Sequence, residues 1–373
     1  MNNLFIVHFQ PLEKYPPVMN LVRYLEKFNG KEILIQVITT ANDGKLFSSS
    51  IPVYRISQAT VNTNALIRLW KYLQFNWSAL RLLLKYRPAK ILYYETLSSG
   101  AVWVYKKFFR RNTDLYIHYH EYNSNEEYRK GMQLGRLLHY LEQQIYPVAK
   151  WVSHTNVERM QLFVRDNAAH APVHRFILPN FPPRAWSEHT KNNFKKSNSR
   201  TRFVYVGALA FETTYVKEWA GFIAENPLLY EWDIYSGNFE AGVPVWLDEL
   251  KAPNIFFRGN IEYESLPSVL PDYDVGIILY KGHIPNYVFN APNKLFEYIA
   301  CGLDAWFPPV MTGCLPYVTV NTYPKICAFD FQHPRRETVE KAMDRTGLEF
   351  KAPEYYAEDS FLPLQQQILN GLG

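Results

Sequence analysis

At 373 residues, with 47% hydrophobic and 16% aromatic side chains, the chain is long enough for two globular domains, each with a core of its own. Its apolar runs fall short of the roughly 18 to 20 residues that a membrane-spanning helix needs. The opening MNNLFIVHFQ has neither a basic n-region nor a small-residue cleavage site, so the cytoplasm is the expected compartment. Three cysteines, Cys301, Cys314 and Cys327, are an odd number without metal-ligand spacing, which argues against a disulfide framework. The net charge of +5 is unevenly spread: residues 1–190 carry 24 Lys+Arg against 13 Asp+Glu, and residues 191–373 carry 16 against 22.

Strand and helix patterns alternate along the first half. LFIVHF (4–9), EILIQVITT (32–40), KILYYE (90–95) and DLYIHYHE (114–121) read as strands, and VMNLVRYLEKF, ALIRLWKYLQFNWSALRLLLKY and AVWVYKKFFRR between them have helical spacing. This alternation predicts a parallel sheet with helices on both faces. RFILPN (175–180) is followed by FPPRAWSEHTKNNFKKSNSR, rich in proline, asparagine, serine and lysine and without periodicity, which reads as a linker. The pattern restarts with FVYVGA (203–208), WDIYSG (232–237), NIFFRG (254–259) and YDVGIILY (273–280), interleaved with helices. The expectation is therefore α/β: two doubly wound Rossmann-like domains facing a central cleft, with ligands beyond the carboxyl ends of the strands. The predicted boundaries are 1–182, a linker 183–200, and 201–354, with residues 355–373 crossing back onto the first domain.

The stretch NAPNKLFEYIACG, 290–302, predicts a helix whose start faces the ligand. Asn290 suits the N-cap, Pro292 the first turn and Gly302 the C-terminal stop. The free N–H groups and positive dipole end favour a phosphate. Leu295, Phe296, Ile299 and Ala300 form an apolar stripe. Asn290, Asn293, Lys294 and Glu297 recur at three to four residues on another face, and Glu297, one turn in, is within reach of the ribose of a nucleotide whose diphosphate sits at the helix start. A solvated surface acid is the alternative.

PNKLFEYIACG, together with VYVGAL (204–209), ILPNF (177–181) and NIFFRGNIEYESLPSVLPDYDVGIILY, resembles the group 1 glycosyltransferases of the GT-B fold. The resemblance implies a glycosyltransferase that moves a sugar from a nucleotide diphosphate sugar to a saccharide or lipid-linked acceptor with retention, in the synthesis of a cell-surface polysaccharide or glycolipid. It implies that Glu297 holds the ribose hydroxyls. The family's first motif glutamate falls at Phe289, leaving Asn290 as the nearest polar substitute. The Arg that grips the diphosphate in the family is replaced by Ala208 and Leu209 in GALAFETTYVKEW, and Lys217 comes later, inside a helix. Lys294, Lys281 and Arg258, with the backbone N–H groups around Gly207 and from Ala291 to Asn293, are the remaining diphosphate candidates. HYHE (118–121) resembles the segment where the family keeps an active-site histidine, which makes His120 the catalytic candidate, with Glu121 to orient it or meet the acceptor hydroxyl. Alternation places His118 on the same face, and Glu95 ends a neighbouring strand. A histidine satisfied by nearby backbone is the alternative.

Asp272-Tyr273-Asp274 has the Asp-x-Asp pattern of metal-dependent transferases, but it precedes a strand and reads as a turn. No metal or other cofactor is expected. In the basic first half, Arg68, Lys71, Arg81, Lys85, Arg87 and Lys90 accompany Trp70, Phe75 and Trp77, and YKKFFRR (105–111) mixes the same types. Cations beside Trp and Phe suit an anionic membrane surface through residues 68–111; no nucleic-acid reading motif accompanies them. Two further readings stay open: a catalytically silent nucleotide- or glycan-binding protein, and a sugar-nucleotide epimerase of the same fold.

Overall fold

The computed structural model describes residues 2–42, 44–58, 64–189 and 200–370. They form two units: the chain up to Asn180 with the last helix, and Phe181–Tyr356.

The first unit runs β1 (Asn3–His8), α1 (Pro16–Glu26), β2 (Leu34–Ala41), β3 (Val53–Gln58), α2 (Ala65–Tyr86), β4 (Lys90–Tyr94), α3 (Ser99–Val104), β5 (Asp114–Tyr119), α4 (Asn125–Lys130), α5 (Gln133–Gln143), β6 (Trp151–His154), α6 (Val157–Asp166) and β7 (Arg175–Ile177). The strands pair in the order β3-β2-β1-β4-β5-β6-β7, all in parallel. β4 is buried along its whole length and β1 along all but its first residue, which explains their unbroken apolar sequences: a strand covered on both faces has no solvent side to alternate with. The order reverses between β1 and β4. At such a switch point the connections leave in opposite directions and open a crevice beyond the strand ends. Register places His8 beside Tyr94 and Tyr94 beside His118 at those ends.

The second unit continues with β8 (Thr201–Val206), α7 (Val216–Glu225), β9 (Tyr230–Tyr235), α8 (Gly242–Glu249), β10 (Ile255–Gly259), α9 (Leu266–Val269), β11 (Val275–Ile277), α10 (Pro285–Val288), α11 (Asn293–Ala300), β12 (Asp304–Phe307), β13 (Thr322–Tyr323), β14 (Ile326–Ala328), α12 (Arg336–Met343) and β15 (Glu349–Phe350). Its main sheet has the order β10-β9-β8-β11-β12-β14, and β13 and β15 pair apart. Here the switch point falls between β8 and β11. The strand expected over 273–280 stays in the ladder for only three residues. The Ile278 N–H closes the ladder on the Trp306 carbonyl of β12, and beyond it the Lys281 N–H bonds the Thr213 carbonyl ahead of α7.

The final helix, α13 (Ala357–Asn370), belongs to the first unit. The Lys90 ammonium donates to the Ile368 carbonyl, and the Tyr116 hydroxyl donates to the Gln367 carbonyl at 3.0 Å. Within the segment read as a linker, Arg184–His189 form a 3-10 turn whose Trp186 is buried against Tyr263; residues 190–199 lie outside the described residues.

Candidate functional site

In the second unit, α11 begins at Asn293 with Pro292 as its N-cap. This corrects the expected cap at Asn290 and first-turn role for Pro292. Pro292 is extended (φ −72°, ψ 152°) and no side chain caps the helix, so its first N–H groups are not taken up by a capping side chain. The stop is as expected: Gly302 takes φ 83°, its N–H bonds the Ile299 carbonyl and the Leu303 N–H bonds that of Tyr298, which is the Schellman arrangement. The helix is seated by Tyr298, whose ring fills the space over Gly276 where any β-carbon would collide with it, and whose hydroxyl accepts the Val206 N–H at 3.0 Å.

Seating the helix this way aims Lys294 and Glu297, one turn apart, at the switch point. Both are buried, at 8% and 6% exposure, unusual for Lys and Glu unless they are paired or functional. The Lys294 ammonium lies 4.5 Å from the Tyr205 ring centre and 5.0 Å from that of Tyr280, an aromatic box that favours a cation. It also packs against Gly207, which ends β8 at φ 143°. The Glu297 carboxyl has no hydrogen-bond partner among the described residues, and burial pushes it up to about 7 although Lys294 opposes the shift.

The other donor candidates divide. The Gly207 N–H is spent on the Tyr235 carbonyl, at 3.0 Å, so this glycine offers space rather than a donor. The Ala208 carbonyl accepts from the Tyr205 hydroxyl at 2.5 Å. Lys281 pairs with Glu218 at 3.1 Å and donates to the Phe211 carbonyl. Arg258 is held on the buried Asp233 at 3.0 Å, beside a shallow hollow of about 320 Å³ lined also by Arg202 and Tyr273. Asn293 is the first helical residue; Asn290 receives the Cys314 thiol on its carbonyl at 3.3 Å. The structure thus brings together Gly207, Ala208, Lys294 and Glu297 and engages Lys281 and Arg258 elsewhere. The aromatic box of Tyr205 and Tyr280 escaped the sequence reading, because nothing in spacing marks two tyrosines of different strands as neighbours.

In the first unit, His8, His118, His120 and His154 sit at the ends of adjacent strands, all buried. His118 Nε2 is 3.2 Å from His120 Nδ1, which is also 3.1 Å from Asn180 Oδ1. Burial keeps all four neutral: His8 falls to about 3 and His120 to about 4, with the Arg159 guanidinium adding to the effect at His120. Arg159 itself is buried and donates to the His120 carbonyl at 2.5 Å. His120 stacks on Tyr94, ring centres 5.1 Å apart, and its Nε2 has no partner.

Beside this cluster, at the β1/β4 switch point, is a cavity of about 200 Å³ lined by residues following β1 (Gln10, Tyr15), residues following β4 (Glu95, Ser98), and Glu121 and Asn123. Glu95 has φ 63° and ψ 153°, a region that essentially only glycine enters. Its Oε1 accepts the His120 N–H at 2.6 Å and the Glu121 N–H at 3.4 Å. Burial, with the neighbouring Glu121 charge second, pushes its carboxyl up to about 8.

Among the described residues no cluster of three or more His, Cys, Asp or Glu could hold a metal ion. The Asp274 carboxylate accepts the Arg202 N–H at 2.8 Å, tying the start of β11 to the start of β8.

No family model and no curated protein sequence matches the chain. Solved structures do. A glycosyltransferase from Rickettsia africae superposes with a TM-score of 0.66 at 9% identity, covering 100% of this chain and 99% of that one. Anabaena HepE in complex with UDP gives 0.62 at 13%, covering 100% and 96%. The UDP-GlcNAc 2-epimerase of Methanocaldococcus jannaschii gives 0.60 at 12%, covering 97% and 98%. The fold is therefore that of the GT-B glycosyltransferases and their relatives.

Proposed function

We propose that the chain is a glycosyltransferase that uses a nucleoside diphosphate sugar, with its donor site at the β8/β11 switch point. The carrying observation is Glu297: a buried carboxyl with no hydrogen-bond partner among the described residues, one helical turn on from a buried lysine in the first turn of α11. A ribose diol supplies the hydrogen bonds that Glu297 lacks. Lys294 offers a point charge to the diphosphate, and the N–H groups of Asn293 and Lys294, ahead of the Leu295 N–H that bonds the Pro292 carbonyl, offer donors. HepE, of the same fold, was solved with UDP and with UDP-glucose, which supports a uridine nucleotide as the first probe.

In the retaining reaction that the sequence resemblance implies, the bond from the anomeric carbon to the diphosphate oxygen breaks and a bond to the acceptor oxygen forms on the same face. The acceptor proton passes to the departing diphosphate. Such chemistry asks the protein for positioning and charge stabilisation rather than for a nucleophile. Within the first unit, a neutral His120, oriented through His118 and Asn180, offers Nε2 to a saccharide hydroxyl, and Glu121 is the neighbouring carboxyl.

Calorimetry with UDP and UDP-glucose tests this. Binding that is lost in Glu297→Ala and Lys294→Ala supports it, and no binding of either by the unaltered protein overturns it. An epimerase, the reading favoured by the likeness to the Methanocaldococcus jannaschii enzyme, converts UDP-GlcNAc with no acceptor present, which NMR of the sugar detects. Tight nucleotide binding with neither transfer nor conversion indicates a silent binding protein.

The acceptor in this reading is a saccharide or lipid-linked saccharide at an anionic membrane surface. No helix among the described residues is long and apolar enough to cross a membrane. α2, however, carries two apolar stripes. Tyr72, Phe75, Ala79 and Leu83 face the core, while Leu66, Trp70, Leu73 and Trp77 stand in solvent, the two tryptophans 67% and 64% exposed. Arg68, Arg81 and Lys85 are exposed on the same helix, and Phe108, Phe109 and Arg111 are exposed after α3. Exposed Trp and Leu flanked by cations suit the headgroup boundary of an anionic bilayer.

A further inference from the structure

We propose that Glu95 anchors the acceptor and that the β1/β4 cavity receives an uncharged saccharide rather than a sugar phosphate. The inference rests on the glycosyltransferase reading and names the substrate class of its first unit.

Glu95 follows directly on β4 in a conformation that costs a non-glycine residue energy, and a glycine there would remove the cost. A glutamate retained in a glycine conformation is accounted for if its carboxyl is needed where it points. One oxygen is fixed by the His120 and Glu121 N–H groups. The second has no hydrogen-bond partner among the described residues, and Glu95 lines the cavity.

Gln10, Glu95, Ser98, Glu121 and Asn123 present carboxyl, amide and hydroxyl groups beside the rings of Phe9, Tyr15 and Tyr128. Hydrogen-bonding groups set among aromatic rings suit the hydroxyls and apolar face of a sugar. No lysine or arginine lines the cavity, and His8, which does, is neutral with both ring nitrogens buried and outside hydrogen-bonding geometry, the Gln10 backbone approaching one of them. With no cation in the lining and the Glu121 charge at its wall, the cavity gives a phosphate no compensating partner. At about 200 Å³ the space lies below the roughly 300 Å³ at which pockets for drug-sized ligands begin, so it holds one sugar unit.

The floor of the cavity is internally bonded. Thr96 donates to the fully buried Glu142 at 2.6 Å and lies 2.6 Å from the Tyr128 hydroxyl, while Tyr128 stacks on His139 with ring centres 3.9 Å apart. These groups satisfy one another and hold the wall rigid, which leaves Glu95 and Glu121 as the carboxyls available to a ligand.

The test uses saturation-transfer NMR on the full chain with methyl α-glucoside, methyl α-mannoside, N-acetylglucosamine, glucose 6-phosphate and mannose 6-phosphate, with and without UDP. At least one neutral sugar is expected to bind, and Glu95→Gln and Glu95→Ala are expected to weaken it about tenfold or more, the loss of one good polar contact, with UDP affinity by calorimetry unchanged. Glu95→Gly, which relaxes the backbone, is expected to keep or raise Tm and lose the sugar. Four results overturn the proposal: no saccharide bound by the unaltered protein, phosphorylated sugars bound more tightly than neutral ones, sugar binding indifferent to Glu95, or a lower Tm in Glu95→Gly with sugar binding intact, which marks a structural clamp. Sugar binding through Glu95 with no nucleotide binding keeps this inference and removes the transferase reading. Nucleotide binding lost in Glu297→Ala, with sugar binding indifferent to Glu95, does the reverse.

Discussion

The ammonium of Lys294 occupies the space that a β-carbon on residue 207 would fill. Gly207 therefore makes room for Lys294 through its absent side chain and its φ of 143°, while its N–H is bonded to the Tyr235 carbonyl. Gly207→Ala is expected to cost about 1–3 kcal/mol of stability from backbone strain and to push Lys294 out of its box. UDP affinity should fall at least about tenfold, near 1.4 kcal/mol, in both Gly207→Ala and Lys294→Met. The two losses share one contact, so the double variant should lose less than their sum. Full additivity by calorimetry would show that Lys294 and Gly207 act on the nucleotide separately.

Glu297 couples stability to pH. Its carboxyl is raised from the usual range to about 7, so between those values the folded chain holds a proton that the unfolded chain has released. The unfolded state binds fewer protons there, and stability falls as pH rises through that window. Glu297→Gln removes this linkage. Its Tm should equal or trail that of the unaltered protein at pH 5 and exceed it at pH 8. A gap independent of pH would contradict the assignment of the raised carboxyl to Glu297.

Helix α11 was legible in the sequence because its apolar residues recur at helical spacing and its end carries a glycine. Its start was misplaced by one feature: Pro292, acceptable inside a first turn, instead takes the extended conformation of the cap. The burial of Lys294 and Glu297 was not legible, since charged residues on a polar helix face read as solvated. β3, β6 and β7 were missed because three to six residues of mixed character, such as VYRISQ and WVSH, give too few alternations to register. The conformation of Glu95 lies furthest from sequence reasoning. Local preference assigns φ above zero to glycine, and functional sites are where such rules are broken.

Gly276 carries the fold-level counterpart of Gly207. A β-carbon there would run into the Tyr298 ring, and Tyr298 also holds the Val206 N–H. Gly276→Ala should destabilise the second unit by about 1–3 kcal/mol through overpacking and displace α11, so that UDP affinity falls together with Tm. Pairing it with Tyr298→Leu frees space for the methyl group and should recover part of the stability lost to overpacking. Recovery of Tm without recovery of UDP affinity would place the Tyr298 hydroxyl in the set of groups that position the helix.

The solvent stripe of α2 makes a prediction with a salt signature. Cations near an anionic surface contribute about 1 kcal/mol each, and this attraction is screened as the Debye length shrinks from about 10 Å at 0.1 M salt to about 3 Å at 1 M. Buried tryptophan contributes through area, which salt does not screen. The chain should therefore sediment with phosphatidylserine-containing vesicles at 0.1 M salt and much less at 1 M. It should bind neutral phosphatidylcholine vesicles weakly at both. Trp70→Ser with Trp77→Ser should weaken binding to the anionic vesicles at every salt concentration, and Arg68→Gln with Arg81→Gln should weaken it mainly at low salt. Because these side chains face away from the core, neither pair should move Tm by more than about 0.5 kcal/mol equivalent. Sedimentation indifferent to both salt and the tryptophans would return this face to the ordinary surface of a water-soluble helix.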